Sequence, residues 1–424
     1  MVKKEIFNLV DERKQELINL TNQLIQYATP APPARNTQEI QDFIASYLTD
    51  IGFKIDKWDM HPGDPIIVGI LNEEVTEYQS LILNGHVDVA EVGEDENWSF
   101  PPFEPTISDN KVYGRGAADM KAGIAANLFA LKLLKENNLP LKGKVLFQSV
   151  TGEEIGEAGT SQCCERGYTA DFAVVADTSD LRIEGQGGVV TGWITVKDSK
   201  THHDALRQNM IHSGGGLHGA SAIEKMMKII QALQDLERHW SIVKSYPGVK
   251  PGMTTINPAV IEGGRHAAFI ADECKLWITV HYYPNETYQD VMDEIEDHIR
   301  LTANADIWLR DHPPTFQWGG TSMMIDKGEI FPSLEVDQHH PAVKLLSDLH
   351  EHIHFRRPEI GTSQTVTDGG WLGDAGIPTV IYGPGKLAQA HSTNEYVSIH
   401  QLINYTQSMM HFILDWVNTK KGAD

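Results

Sequence analysis

Four apolar runs of this 424-residue chain end in residues that bind metals or carry protons: NGHVDV, TGEEIG, VVADTS and IYGPG. His86 follows the first run, Glu153 and Glu154 the second and Asp177 the third, and His391 lies eight residues beyond Gly383 of the fourth. A further signature, GRGAADMKAG, sets Asp119 at the entry of a helical pattern that starts near Met120. Imidazole nitrogen and carboxylate oxygen are donors that zinc accepts, and a catalytic zinc keeps one position open for water.

Taken singly, each residue has a plain structural reading. Asp119 reads as a helix cap, Asp177 as a turn cap, and Glu153 with Glu154 as an exposed acidic turn. Each histidine is one of 19, and a lone histidine is more often a hydrogen-bonded structural residue than a ligand. Their coincidence at separate strand and helix ends points instead to one site, because open α/β sheets gather ligands beyond the carboxyl ends of their strands. Two zinc ions suit the set better than one. A shared carboxylate, with one histidine and one carboxylate on each ion, uses five of the six residues. The sixth, a carboxylate beside a ligand, is left to take a proton from water.

A second histidine pattern competes. DLHEHIHF holds His350, Glu351 and His354 at HExxH spacing, which on a helix places both imidazoles on one face. Pro358 closes that helix soon after and no supporting ligands surround it, so the zincin reading is set aside.

The elements that must position these residues alternate. Strand-like runs at Leu81 to Leu83, Lys144 to Val150 and Asp171 to Ala176 are interleaved with helical patterns such as MKAGIAANLFALKLLKEN, which predicts an α/β layer with a mostly parallel sheet. Between 185 and 311 the rhythm changes to two-residue alternation with two intervening helices, which predicts a small α+β insertion. The α/β rhythm then resumes, so the expected domains are 1–184 with 312–424, and 185–311.

Composition narrows the partners. With 35 Lys and Arg against 58 Asp and Glu, the net charge of −23 disfavours nucleic acid and anionic membrane. No run of apolar residues is long enough to span a bilayer, and the charged first segment does not read as a secretory leader. Three cysteines, two of them adjacent at Cys163 and Cys164, form no disulfide framework, so a cytoplasmic setting is expected.

Together, NGHVDV, GRGAADMKAG, TGEEIG, TDGGWL and GPG with a downstream His391-x-x-x-Glu395 resemble the dizinc amidohydrolases and exopeptidases that include acetylornithine deacetylase, succinyl-diaminopimelate desuccinylase, carboxypeptidase G and aminoacylase. The likeness covers nearly the whole chain. It implies a catalytic α/β domain interrupted by a ferredoxin-like lid that mediates homodimerisation, two Zn²⁺ with Co²⁺ as a substitute, and a small N-acyl amine substrate. By the same resemblance His86 and Asp177 hold one zinc, Glu154 and His391 the other, and Asp119 bridges. Glu153 is then the general base and Asp88 the carboxylate that orients His86. His203 of KDSKTHHDA, with His202 as its rival, reaches the partner's oxyanion, while Asn257, His281 and Gly383 touch substrate.

Two departures bear on the substrate. Asp177 stands where relatives often have Glu, which leaves a zinc donor in place. His281 in ITVHYYP stands where many relatives carry an arginine that grips a substrate carboxylate, and an imidazole has no guanidinium fork for that task. YATPAPPARN and VHYYPNE, with the lid as a whole, resemble a branch often labelled acetylornithine deacetylase, which in turn resembles the formylaminopyrimidine deformylase of thiamine-precursor salvage. The expectation is therefore removal of a formyl or acetyl group from a small amine. Acetylornithine or succinyl-diaminopimelate deacylation is the alternative substrate reading, and a non-catalytic metal-binding scaffold the alternative of another class.

Overall fold

The computed structural model describes residues 8–93, 96–203, 206 and 219–422. The chain divides into two compact units, 1–186 with 334–424, and 187–333.

In the first unit an eight-stranded mixed sheet is built from β1 (Lys54–His61), β2 (Asp64–Leu71), β3 (Leu81–His86), β4 (Val145–Val150), β5 (Phe172–Val175), β6 (Ile183–Gln186), and two later strands, Ile360–Ser363 and Thr379–Ile381. The centre of the sheet is parallel: β4, β3, β5 and Thr379–Ile381 lie side by side in that order. These strands read as continuous apolar runs because both faces are covered. Leu81, Leu83, Val145, Phe147, Phe172 and Val174 enter the larger core, while Ile82, Leu146, Ala173 and Val175 enter a smaller one behind the sheet. The larger core is closed by α1 (Lys14–Gln26), α2 (Gln38–Asp50), α3 (Lys121–Glu136) and two C-terminal helices, Pro341–His354 and Ile399–Val417.

Strand order turns at β3: the chain places β4 on one side of it and β5 on the other. Such a reversal opens a crevice at the carboxyl ends, where α/β proteins bind ligands. His86 is the last residue of β3, level with Val150 of β4, and Asn84 is level with Val175 of β5. The three strand ends therefore deliver His86, the Glu153–Glu154 turn and Asp177 to one place.

The second unit runs β7 (Gly188–Lys197), α4 (Ala222–Val243), β8 (Thr255–Gly263), β9 (Glu273–Tyr282), α5 (Tyr288–Ala305), β10 (Thr315–Trp318) and β11 (Ile330–Phe331). Its antiparallel sheet has the order β8-β9-β7-β10, with β11 also on β7, and α4 and α5 share its core. This is the β-α-β-β-α-β pattern of a ferredoxin-like layer. Ser221 and Thr287 cap the two helices by accepting from the amides of Glu224 and Asp290. The unit ends later than the expected residue 311. Residues 312–333 carry Pro, Gly and only short apolar runs, and their strand character arises from pairing with the long free side of β7. The C-terminal helices of the first unit are α6 (Pro341–His354) and α7 (Ile399–Val417), and its last two strands are β12 (Ile360–Ser363) and β13 (Thr379–Ile381). Among the described residues no helix is long and apolar enough to cross a membrane.

Candidate metal centre

The structure brings His86, Asp119, Glu153, Glu154, Asp177 and His391 together. Nε2 of His86 stands 3.2 Å from Oδ1 of Asp119 and 3.9 Å from Oδ2 of Asp177 and from Oε2 of Glu153. Nε2 of His391 stands 2.9 Å from Oε2 of Glu154 and 3.4 Å from Oδ2 of Asp119. Asp119 thus turns one oxygen toward each imidazole, the disposition of a carboxylate placed between two cations.

The donors fit a metal for a second reason. His86 Nε2, Asp119 Oδ1 and Glu154 Oε1 are buried with no hydrogen-bond partner, although buried polar atoms are nearly always paired. His86 with Glu153 and Asp177, and His86 with Asp119 and Glu154, each converge closely enough to hold an ion. Asp88 and Asp368 are also buried here, and among the described residues no lysine or arginine forms an ion pair with any of these six carboxylates. That density of negative charge calls for cations.

The local chemistry explains each placement. Nδ1 of His86 lies 3.0 Å from the backbone carbonyl of Asp88, so it carries the proton and leaves the Nε2 lone pair free. This differs from the expected role of the Asp88 carboxylate, whose Oδ1 is 3.8 Å from the ring. Oδ2 of Asp88 accepts instead from the Glu154 amide at 3.0 Å, so Asp88 orients the imidazole with its main chain and the glutamate turn with its side chain. That turn begins at Gly152, whose φ of +89° is one that L side chains rarely adopt. Behind it the amide of Glu157 donates to the Gly152 carbonyl at 2.7 Å, and the Glu157 carboxylate takes two hydrogen bonds from Arg35 at 2.6 and 2.7 Å.

Charges respond to the crowding. Burial pushes the Glu153 carboxyl well above its usual range, and Glu154, Asp177 and Asp368 add to the shift. Burial with the nearby Asp119 raises Glu154 to about 7 and Asp177 to about 6. Against burial, which alone would push it up, the two imidazoles hold Asp119 below its usual range. Asp119 and Glu154 raise His391 to about 11.

The other predicted residues are divided between the two units. Gly383 is buried, and a Cβ there would fall 2.2 Å from the Asp177 carbonyl. Its amide donates to Ser179 Oγ and its carbonyl accepts from the Leu181 amide, so it seats the Asp177 strand end. His202, His203, Asn257 and His281 belong to the second unit. His202 packs beside Asp198 and Gly219, whereas the exposed His203 ring meets the edge of Phe269. The last two residues of KDSKTHHDA lie outside the described residues. Thr255 pairs with His281 and Asn257 with Thr279, which puts Asn257 and His281 on one exposed face of the β8–β9 pair.

Three residues were in quoted motifs without a role. Asp368 of TDGGWL is a buried carboxylate that burial raises to about 7. Glu395 and Arg115 form a buried ion pair at 2.9 Å beside Asp119. Their signal was a charge inside an otherwise small or apolar motif. Among the described residues the HExxH histidines belong to no metal cluster: His350 Nδ1 meets the Tyr382 hydroxyl at 2.9 Å, and Glu351 accepts from Arg357 at 2.8 Å.

The model of peptidase family M20/M25/M40 matches residues 82–415. The chain belongs to this family. Among M20 relatives, the chain is 61% identical over 422 residues, 99% of both chains, to N-formyl-4-amino-5-aminomethyl-2-methylpyrimidine deformylase of Bacillus subtilis (strain 168). It is 56% identical over 420 residues, 99% of this chain and 98% of the relative, to the deformylase of the same name from Halalkalibacterium halodurans. The fold also matches a dinuclear metal-binding M20 peptidase from Bacillus subtilis, with a TM-score of 0.67, 16% identity and coverage of 96% and 99%. The chain is accordingly an M20-type amide hydrolase with a candidate metal site.

Proposed function

We propose that this enzyme is a two-zinc deformylase that hydrolyses N-formyl-4-amino-5-aminomethyl-2-methylpyrimidine to formate and the free aminomethylpyrimidine. The observation that carries the metal chemistry is Asp119 offering separate oxygens to His86 and His391. His86 and Asp177 would hold one ion, Glu154 and His391 the other, and Asp119 both. When bound, the pair supplies Lewis-acid polarisation of the amide carbonyl and makes a nearby water more acidic.

The chain's own residues do the rest. Glu153, a carboxylate raised by burial, takes a proton from water as its oxygen bonds to the formyl carbon. The C–N bond then breaks, and Glu153 returns that proton to the departing amine, which leaves as a neutral primary amine; the formic acid released beside it gives up the second proton of the water to solvent and departs as formate. Asp88 keeps the Glu153–Glu154 turn in register through the Glu154 amide. His203, the exposed member of its pair, serves the oxyanion of a partner copy in a homodimer formed through the second unit. The substrate assignment is supported by the two full-length relatives of that name and by His281, which lacks the fork that an amino-acid carboxylate would call for. A cytoplasmic setting belongs to the same proposal and is supported by three free cysteines.

The decisive experiment assays the formylaminopyrimidine and acetylornithine side by side on wild type and His281→Arg. Wild type should prefer the formylaminopyrimidine by at least about 100-fold in kcat/KM, roughly 3 kcal/mol of transition-state discrimination. Equal or better turnover of acetylornithine by wild type would reject the substrate assignment.

A further inference from the structure

We propose that Glu395 is a positioning residue for the metal centre, setting the main chain that carries Asp119 against the loop that carries His391. The inference rests on the two-metal reading above.

Glu395 lies four residues after His391 and its side chain is fully buried. Both carboxylate oxygens are doubly occupied. One accepts from the amides of Ala118 and Asp119 at 2.7 and 3.0 Å. The other accepts from the Gly116 amide at 3.1 Å and from Arg115 Nη1 at 2.9 Å. The Glu395 carbonyl in turn accepts from the Gly114 amide at 2.9 Å, and Arg115 Nη1 reaches the Ser392 carbonyl at 3.3 Å. The segment before Asp119 and the segment after His391 are therefore laced together at several points.

A buried ion pair alone would need only Arg115. Here three of the four donors on the carboxylate are main-chain amides, and one is the amide of Asp119 itself. Fixing that amide fixes the direction in which the Asp119 side chain leaves the backbone. On that direction depends the placing of its two oxygens at 3.2 and 3.4 Å from the two imidazoles. The residue acts through Asp119 and His391.

Acceptor function can be separated from mere volume. Glu395→Gln keeps the shape, but whichever way the amide turns, its NH₂ end faces two N–H donors, and buried donors without acceptors are costly. Glu395→Asp keeps two acceptor oxygens on a shorter arm. Metal-free wild type, Glu395→Gln and Glu395→Asp are titrated with zinc at buffered free concentrations, with stoichiometry read by elemental analysis. Wild type is expected to bind two ions per chain. Glu395→Gln should bind at least one of them about 10- to 100-fold more weakly, as supporting residues of metal ligands typically do. Glu395→Asp should fall between, and turnover of Glu395→Gln should recover in excess zinc. In metal-free wild type the amides of Ala118 and Asp119 should exchange with deuterium as slowly as those inside α3. Two ions bound to Glu395→Gln at wild-type affinity, or rapid exchange of those amides, overturns the proposal. If Glu395→Gln does not fold, the exchange measurement on wild type decides alone. Wild type binding fewer than two ions would instead defeat the two-metal reading, with the exchange rates still judging the clamp.

Discussion

Two regions of the first unit offer histidine beside glutamate, and they have opposite electrostatics. At the strand ends, carboxylates surround His391 and raise it to about 11. On α6, burial lowers His350 to about 3, helped by His354 and Arg356, and lowers His354 to about 4. The first set comes from five separate segments and leaves buried donors unpaired. The second comes from one helix with the more familiar spacing, and its imidazoles stack on each other at 4.0 Å. Local spacing proposes a metal site; only convergent negative charge makes one.

The largest test of this contrast removes a carboxylate from each region. Glu153→Ala should keep its metals and lose about 10²- to 10⁴-fold in turnover, the usual share of a general acid–base group. Glu351→Ala should leave turnover within about twofold, because its partner is the exposed Arg357 and surface pairs matter little. Steady-state kinetics with metal analysis on both variants checks the pair.

A smaller effect concerns protons. Ligands must shed protons to bind a metal, and the chain by itself holds protons at Glu154, near 7, and at His391, near 11. Zinc loading at pH 7 should therefore release protons, and affinity should fall as pH falls. Calorimetry in two buffers of different ionisation enthalpy measures this, and His350→Gln should not change the number.

The smallest effect is on stability. His350 and His354 have folded values below the unfolded value of about 6.5. The unfolded chain thus binds protons more readily below that pH. Their contribution is full above about 6.5 and is lost progressively as pH falls toward 4. The slope of Tm against pH in the metal-free protein should flatten in His350→Gln, and an unchanged slope would show that the helix histidines are not buried neutral.

Much of this was readable in the chain. The apolar runs of β3, β4 and β5 announced strands buried on both faces, and the polar residues that ended them were legible as donors. Less was readable where roles depend on distant partners. Asp88 was expected to orient His86 through its carboxylate, yet the carbonyl does so while the carboxylate holds the Glu154 amide. The close packing of Gly383 on Asp177 was not legible, and β10 and β11 extended the second unit because β7 had an edge to fill.

The sequence by itself determined the strand and helix ends and the kinds of donor that stand on them, since side-chain chemistry and the period of burial are local properties. Only the tertiary structure decided that Asp119 offers one oxygen to each imidazole, that Glu395 gathers three main-chain amides around its carboxylate, and that neighbouring carboxylates raise His391 while burial lowers His350 and His354. Those outcomes depend on which groups meet in a low-dielectric interior, and that meeting is made by pairings between segments far apart in the chain.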